Sequence, residues 1–242
     1  MKKFYLNLLF SILAALVMNA LDMVYHLATG WAVHLNYVAI KLTVILFTVW
    51  MITQFIGIGK EEGVVASVIG PFMFYVYYVF AGATLNRTIF KIDEQFWFFF
   101  LHLSLMLIAY FSLLNFIQSK SHWIRTFSFI LIASFASIAL DLLYTMIKMR
   151  LQGIDEETAA RLMTFSLILI PIIAYFVAAL IGVLIERLFN KKYLDTAFAT
   201  ILSALIIGFF TKDFMHAVFS FVFIGIVYHI IHTCKKRIMN EG

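Results

Sequence analysis

The sequence predicts an all-α fold, a polytopic transmembrane helical bundle, from three observations. The chain has 242 residues, of which 64% are apolar, and its mean hydropathy is +0.98. Only 13% of residues are charged, where a soluble domain uses about a quarter. The apolar residues also gather into eight long runs, and about 20 apolar residues suffice to cross a hydrocarbon core as a helix. The runs are apolar on all sides and lack period-two alternation, which favours helices over a barrel.

The runs lie at about residues 5–28, 37–58, 64–84, 96–117, 124–148, 160–186, 194–210 and 214–233. No small-residue cleavage site follows the first, so it is expected to remain as a span. The third follows Lys60, Glu61, Glu62 and Gly63; acids at a helix start favour its dipole. Gly70-Pro71 falls inside the third run and Pro171 inside the sixth. Each proline removes a backbone donor and is expected to kink its helix, which membrane bundles tolerate. Ala66/Gly70 and Ala178/Gly182 are small pairs four apart, suited to close helix contacts within the core. The links at 60–63, 118–122, 186–192 and 211–213 are little more than turns and leave no room for a soluble domain.

Lysine and arginine set the expected orientation. One side holds Lys2, Lys3, Lys60, Lys120, Arg125, Arg187, Lys191, Lys192, Lys235, Lys236 and Arg237. The other holds Arg87, Lys91, Lys148, Arg150 and Lys212, diluted by Asp93, Glu94, Asp155, Glu156 and Glu157. The first side is expected to be cytoplasmic, with both termini on it. Trp31, Trp97 and Trp123 fall near the interfaces, where aromatic belts form. Asn86-Arg87-Thr88 is a glycosylation sequon on the outer side. The single cysteine, Cys234, excludes an internal disulfide. The net charge of +5 comes from span ends and gives no reason to expect nucleic acid as a partner. Membrane lipid is the expected surrounding partner.

Two stretches resemble each other. Ala20-Leu21-Asp22 aligns with Ala139-Leu140-Asp141 at an offset of 119, which sets Tyr25 on Tyr144. An offset of 120 sets Lys41-Leu42 on Arg161-Leu162 and Asp93 on Asp213. These landmarks predict a tandem duplication, residues 1–120 and 121–242, each with four spans. An even span count sends both halves into the membrane in the same direction, so their symmetry axis would run along the membrane normal.

Aspartate is the residue such runs should exclude. At 1.5 Å per residue, Asp22 and Lys41 lie roughly 6–12 Å from the midplane on consecutive helices. Asp141 and Arg161 repeat the arrangement. A lone charge near the centre of a membrane helix costs about 2.5–3.5 kcal/mol on insertion scales, so four unpaired ones would cost on the order of 10 kcal/mol. Pairing or hydration is therefore required. Asn19, Asp22, Tyr25 and His26 form one helical stripe. Ser134, Ser137, Asp141, Tyr144, Thr145 and Lys148 form another. Both are expected to face the bundle interior.

Two readings follow. The pairs are structural ties between helices, or Asp22, Tyr25, His26, Lys41, Asp141, Tyr144 and Arg161 line an outward-facing site for a polar or ionic group. In the second, the aspartates accept a cation or polar group, Lys41 and Arg161 set their charge, and the tyrosines donate hydrogen bonds. That reading makes the chain a small transporter or carrier-like protein with a small molecule, ion or lipid as substrate. A membrane-embedded enzyme acting on a lipid or isoprenoid is an alternative, with His26 or His34 at headgroup depth. A non-catalytic assembly or sensing subunit is another. No phosphate-binding glycine loop, HExxH or GxSxG is present. His102 and His216 are 114 apart rather than 120 and so read as inequivalent. His216 and His229 point to different faces of one helix, which argues against a stacked haem pair. His229 and His232 lack an evident third ligand and read as a basic helix end, so neither a metal nor a cofactor is expected.

Overall fold

A computed structural model describes residues 2–81, 92–155, 158, 165–191 and 193–241. Among these are eight helices: α1 (Lys2–Ala28), α2 (Leu35–Phe55), α3 (Lys60–Ala81), α4 (Ile92–Gln118), α5 (His122–Leu151), α6 (Phe165–Phe189), α7 (Leu194–Thr211) and α8 (Phe214–Glu241). The described residues contain no strand. Seven of the helices are long and apolar enough to cross a membrane. The one outside that set is α3, which opens on Lys60, Glu61 and Glu62. Arg161 and the sequon at 86–88 lie outside the described residues.

α1 and α5 form the centre. Two-thirds of the α1 span and 56% of the α5 span are buried, against 28–39% for the other five. Their inner faces explain this. α1 buries Ala14, Ala15, Val17, Met18 and Ala20, and α5 buries Ala133, Ala136, Ile138 and Ala139. Small side chains let helix backbones approach closely where lipid supplies no hydrophobic drive. α1 packs on α2, α4 and α5; α5 packs on α4, α6 and α8. Within residues 1–120 the neighbours are α1–α2, α2–α3, α3–α4 and α1–α4. Within 121–242 they are α5–α6, α6–α7, α7–α8 and α5–α8.

α1 and α5 also end alike. Gly30 has φ +74° and Gly153 has φ +78°, a conformation that disfavours any side chain. Trp31 N–H donates to His26 O and Gly30 N–H to Leu27 O; Ile154 N–H donates to Met149 O and Gly153 N–H to Arg150 O. Both are Schellman caps, which satisfy carbonyls left over at a helix end. Pro71 and Pro171 sit inside continuous helices. Trp31, Trp97 and Trp123 are all more than half exposed, as interfacial anchors should be.

The small pairs are contacts within the chain. Ala66 and Ala178 are fully buried. A Cβ on Gly70 would sit 3.3 Å from the Ile45 side chain, and one on Gly182 would sit 2.6 Å from the Asp195 carbonyl oxygen.

Candidate functional site

The two acids lie on the two central helices, at the same end of the bundle. Asp22 is 1% exposed and Lys41 fully buried. The Lys41 ammonium donates to Asp22 Oδ2 and lies 4.3 Å from the Tyr37 ring centroid. The carboxylate and the aromatic face together replace the water that a buried ammonium loses. The pairing inferred from helical rise is therefore present.

The other oxygen of Asp22 faces two histidines. His102 Nε2, from α4, is 3.2 Å from Oδ1, and His26 Nε2 is 3.6 Å from it. Both imidazoles are committed through their other nitrogen. His102 Nδ1 is 2.7 Å from Phe98 O, and His26 Nδ1 is 3.3 Å from Ala32 O. A carbonyl only accepts, so both Nδ1 atoms carry hydrogen. In its neutral form each ring then presents a bare Nε2 to Asp22. The Asp22–His102 approach makes no hydrogen bond: Asp22 Oδ1 and His26 Nε2 are both buried with no hydrogen-bond partner among the described residues. Tyr37 Oη lies 3.4 Å from the same Nε2.

Asp141 is fully buried. The Tyr175 hydroxyl donates to its Oδ1 at 2.9 Å, and His216 Nε2, from α8, is 2.8 Å from the same oxygen. Tyr175 Oη is 3.0 Å from Ser220 Oγ. Having one proton, Tyr175 donates it to Asp141 Oδ1 or to Ser220 Oγ, one at a time. Asp141 Oδ2 has no hydrogen-bond partner among the described residues.

α8 is fixed by Asp213, whose Oδ1 accepts from the His216 N–H at 3.2 Å while Oδ2 accepts from Lys148 of α5. Asp213 lies between the α7 and α8 spans. The Lys148 hydrogen bond, with the His216 backbone bond, holds its carboxyl below the ordinary value of 3.8. A depressed carboxyl stabilises the fold above its unfolded value and loses that contribution as pH falls through the folded one. Both partners are partly exposed, so the pair is worth about 0–1 kcal/mol. Lys148→Met should lower the thermal midpoint slightly at pH 7, and the gap from wild type should narrow at an acid pH below the folded carboxyl's value. An equal gap at both pH values would show that Lys148 acts through packing alone.

The predicted stripes turn inward: Asn19, Asp22 and His26 are buried, as are Ser134, Ser137 and Asp141. The tyrosines differ from expectation. Tyr25 is 37% exposed, and its ring packs edge-on to Trp31 at 6.1 Å. Tyr144 packs on the His216 ring at 5.2 Å rather than on the acid. Register explains this. Tyr25 and Tyr144 lie three residues beyond their aspartates, about 300° around the helix, which turns them to the edge of the stripe. The hydroxyl on Asp141 comes from Tyr175. Tyr175 is the site residue that the sequence does not single out, and it marks His102 and His216 only as inequivalent histidines, not as partners of the acids.

An open groove of about 780 Å³ lies beside the first acid. Tyr25, Trp31, Trp97 and Phe98 line it, and the Phe98 ring stacks on His102 at 4.1 Å. Among the described residues no group of three or more histidine, cysteine or acidic side chains is placed to hold a metal ion; at Asp22 the Lys41 ammonium is itself the cation.

The fold and the spans together define the class: an integral, multi-pass helical membrane protein. Comparison with protein-family models, with curated proteins and with solved structures finds no match for this chain.

Proposed function

We propose that the chain is a small membrane carrier that couples movement of an ion or polar solute to protons held at Asp22 and Asp141. The observation that carries this reading is the buried contact of each acid with a histidine from the fourth helix of its half. At Asp141 that contact is a hydrogen bond at 2.8 Å, while at Asp22 the carboxylate oxygen facing His102 is left without a hydrogen-bond partner among the described residues. A buried group that gains or loses a proton changes the charge of a low-dielectric site, where each charge is costly, and this can drive a change of conformation. Burial of both acids suits an occluded state. The aromatic groove beside His102 is the proposed outer approach.

In this reading residues 1–120 and 121–242 are tandem four-helix repeats, with α3 as the eighth span. Matching neighbour order and matching Schellman ends on α1 and α5 support the duplication. The acids lie toward the outer face, and both termini are cytoplasmic, as the lysine and arginine distribution favours.

Purified protein in liposomes carrying a lumenal pH dye tests the proposal. Under imposed proton, sodium or potassium gradients the wild type should move protons, and Asp22→Asn and Asp141→Asn should each slow that movement by tenfold or more. A wild type that moves no proton, ion or polar solute would overturn the reading. So would a double asparagine variant that transports at the normal rate.

A further inference from the structure

At the end of the bundle opposite the two acids, α5, α6, α7 and α8 enclose a cavity of about 170 Å³. Five charged side chains converge on it. Arg125, Arg187 and Lys235 bring three positive charges; Glu186 and Asp195 bring two negative ones. One cation is therefore in excess. The acids are largely occupied by their own surroundings. Asp195 is 2% exposed; its Oδ1 accepts from the Thr196 N–H at 2.6 Å and its Oδ2 lies 3.2 Å from His232 Nε2. Glu186 hydrogen-bonds to Asp195, which takes a proton on one of the two carboxyls, so the excess of positive charge is at least one. Arg187 is tied to the Thr126 hydroxyl and lies 5.6 Å from the Trp123 ring. Arg125 and Lys235 are like charges within electrostatic reach of one another, and Lys235 also lies within reach of Glu186 and Asp195, around a space that protein does not fill. Like charges held together at a cavity favour an anion there.

A buried polar atom lies just behind the cavity wall. The Tyr228 hydroxyl is buried with no hydrogen-bond partner among the described residues. Its ring packs between Phe129 at 5.2 Å and His232 at 6.4 Å, both of which line the cavity. Tyr228 is not itself among the lining residues, so this hydroxyl sits behind the wall that Phe129 and His232 form. The remaining wall is apolar, and Lys235 lies 5.4 Å from the Phe116 ring.

We propose that this cavity binds a phosphate-bearing monoanion, with the phosphate on Arg125 and Lys235. The phosphate can belong to a lipid headgroup or be free inorganic phosphate. Guanidinium and ammonium groups supply the charge-assisted donors such an oxyanion takes. The apolar wall beside them, at the ends of membrane-spanning helices, suits the glycerol edge of a lipid.

The site is read at equilibrium and does not rest on the carrier proposal. Full-length protein in micelles is titrated with dihexanoylphosphatidylglycerol, with inorganic phosphate and with dihexanoylglycerol, which has no phosphate. Saturable binding of the first should weaken about tenfold in Arg125→Gln and in Lys235→Gln, and should fall with added salt. Either variant alone decides the matter if the other does not fold, and the salt series uses the wild type. Binding of the phospholipid but not of inorganic phosphate assigns a headgroup; competition by inorganic phosphate assigns a free anion. Equal binding of dihexanoylglycerol, binding indifferent to salt or to both substitutions, or no binding of either phosphate probe would overturn the proposal.

Discussion

Lys41→Met should lower the stability of the protein by about 3–5 kcal/mol, the usual cost of stripping one partner from a buried ion pair. The substitution removes the donor to Asp22 Oδ2 and leaves the carboxyl at 1% exposure with only histidine nitrogens near it. Methionine keeps most of the side-chain volume, so cavity formation contributes little. The carboxyl must then take a proton or draw in water. Asp22→Asn should cost less, because an amide needs no counterion, although it leaves the ammonium with only a neutral amide and the Tyr37 ring for company. The double variant Asp22→Leu with Lys41→Met should recover most of the loss, since an apolar replacement of a buried pair is often neutral or stabilising. Thermal unfolding in micelles of the wild type, Asp22→Leu, Lys41→Met and the double variant gives the coupling. A single-variant loss below about 1 kcal/mol would mean that the pair is wetter than its burial indicates. The cycle also separates structure from transport. If the double variant is as stable as wild type but moves no protons, the acid acts in function beyond tying α1 to α2.

How far the sequence reveals this site depends on which physical signal each residue carries. Asp22 and Lys41 are legible because the cost of a charge in lipid forces pairing, and helical rise alone sets their depths. The eight helices are legible for a related reason, from run length. Their ends are less so: α8 continues to Glu241, past the apolar run, because a basic helix can leave the membrane without unwinding. His102 and His216 are hidden by counting. Their spacing of 114 departs from the 119–120 of the other landmarks, yet each faces one of the two buried acids. A shortfall of five to six residues is about one and a half helical turns, so α4 and α8 bring their histidines to the acids in different registers. Tyr175 is hidden differently, by lying in an apolar run where a lone tyrosine looks lipid-facing. Glu186 reads as part of a turn and Asp195 as part of a helix start, since nothing in a linear reading says that two helix ends meet. His232 pairs by spacing with His229, which the fold leaves exposed, whereas its partner is Asp195 on another helix.

That meeting of helix ends depends on one missing side chain. Gly182→Ala should destabilise the protein by about 1–3 kcal/mol, and Gly182→Val by more. A Cβ at this position would lie 2.6 Å from the Asp195 carbonyl oxygen and 3.3 Å from its Cα. The obstacle is backbone, which cannot rotate aside as a side-chain tip does, so α6 and the first turn of α7 must separate. Helix propensity works in the opposite direction, because alanine in a helix interior gains roughly 0.5–1 kcal/mol over glycine. Gly225 supplies the control: it lies inside α8, and its Cβ would meet only the Thr200 methyl at 4.0 Å. Gly225→Ala should therefore leave the thermal midpoint unchanged or raise it. The two alanine variants differ in sign although the chemical change is identical, which isolates helix approach from propensity. Separation at Gly182 should also carry Asp195 away from His232 and enlarge the charged cavity, so phosphate binding there should weaken in step with the stability loss. A Gly182→Ala protein as stable as wild type would show that α6 and α7 pack less closely than a 2.6 Å approach implies.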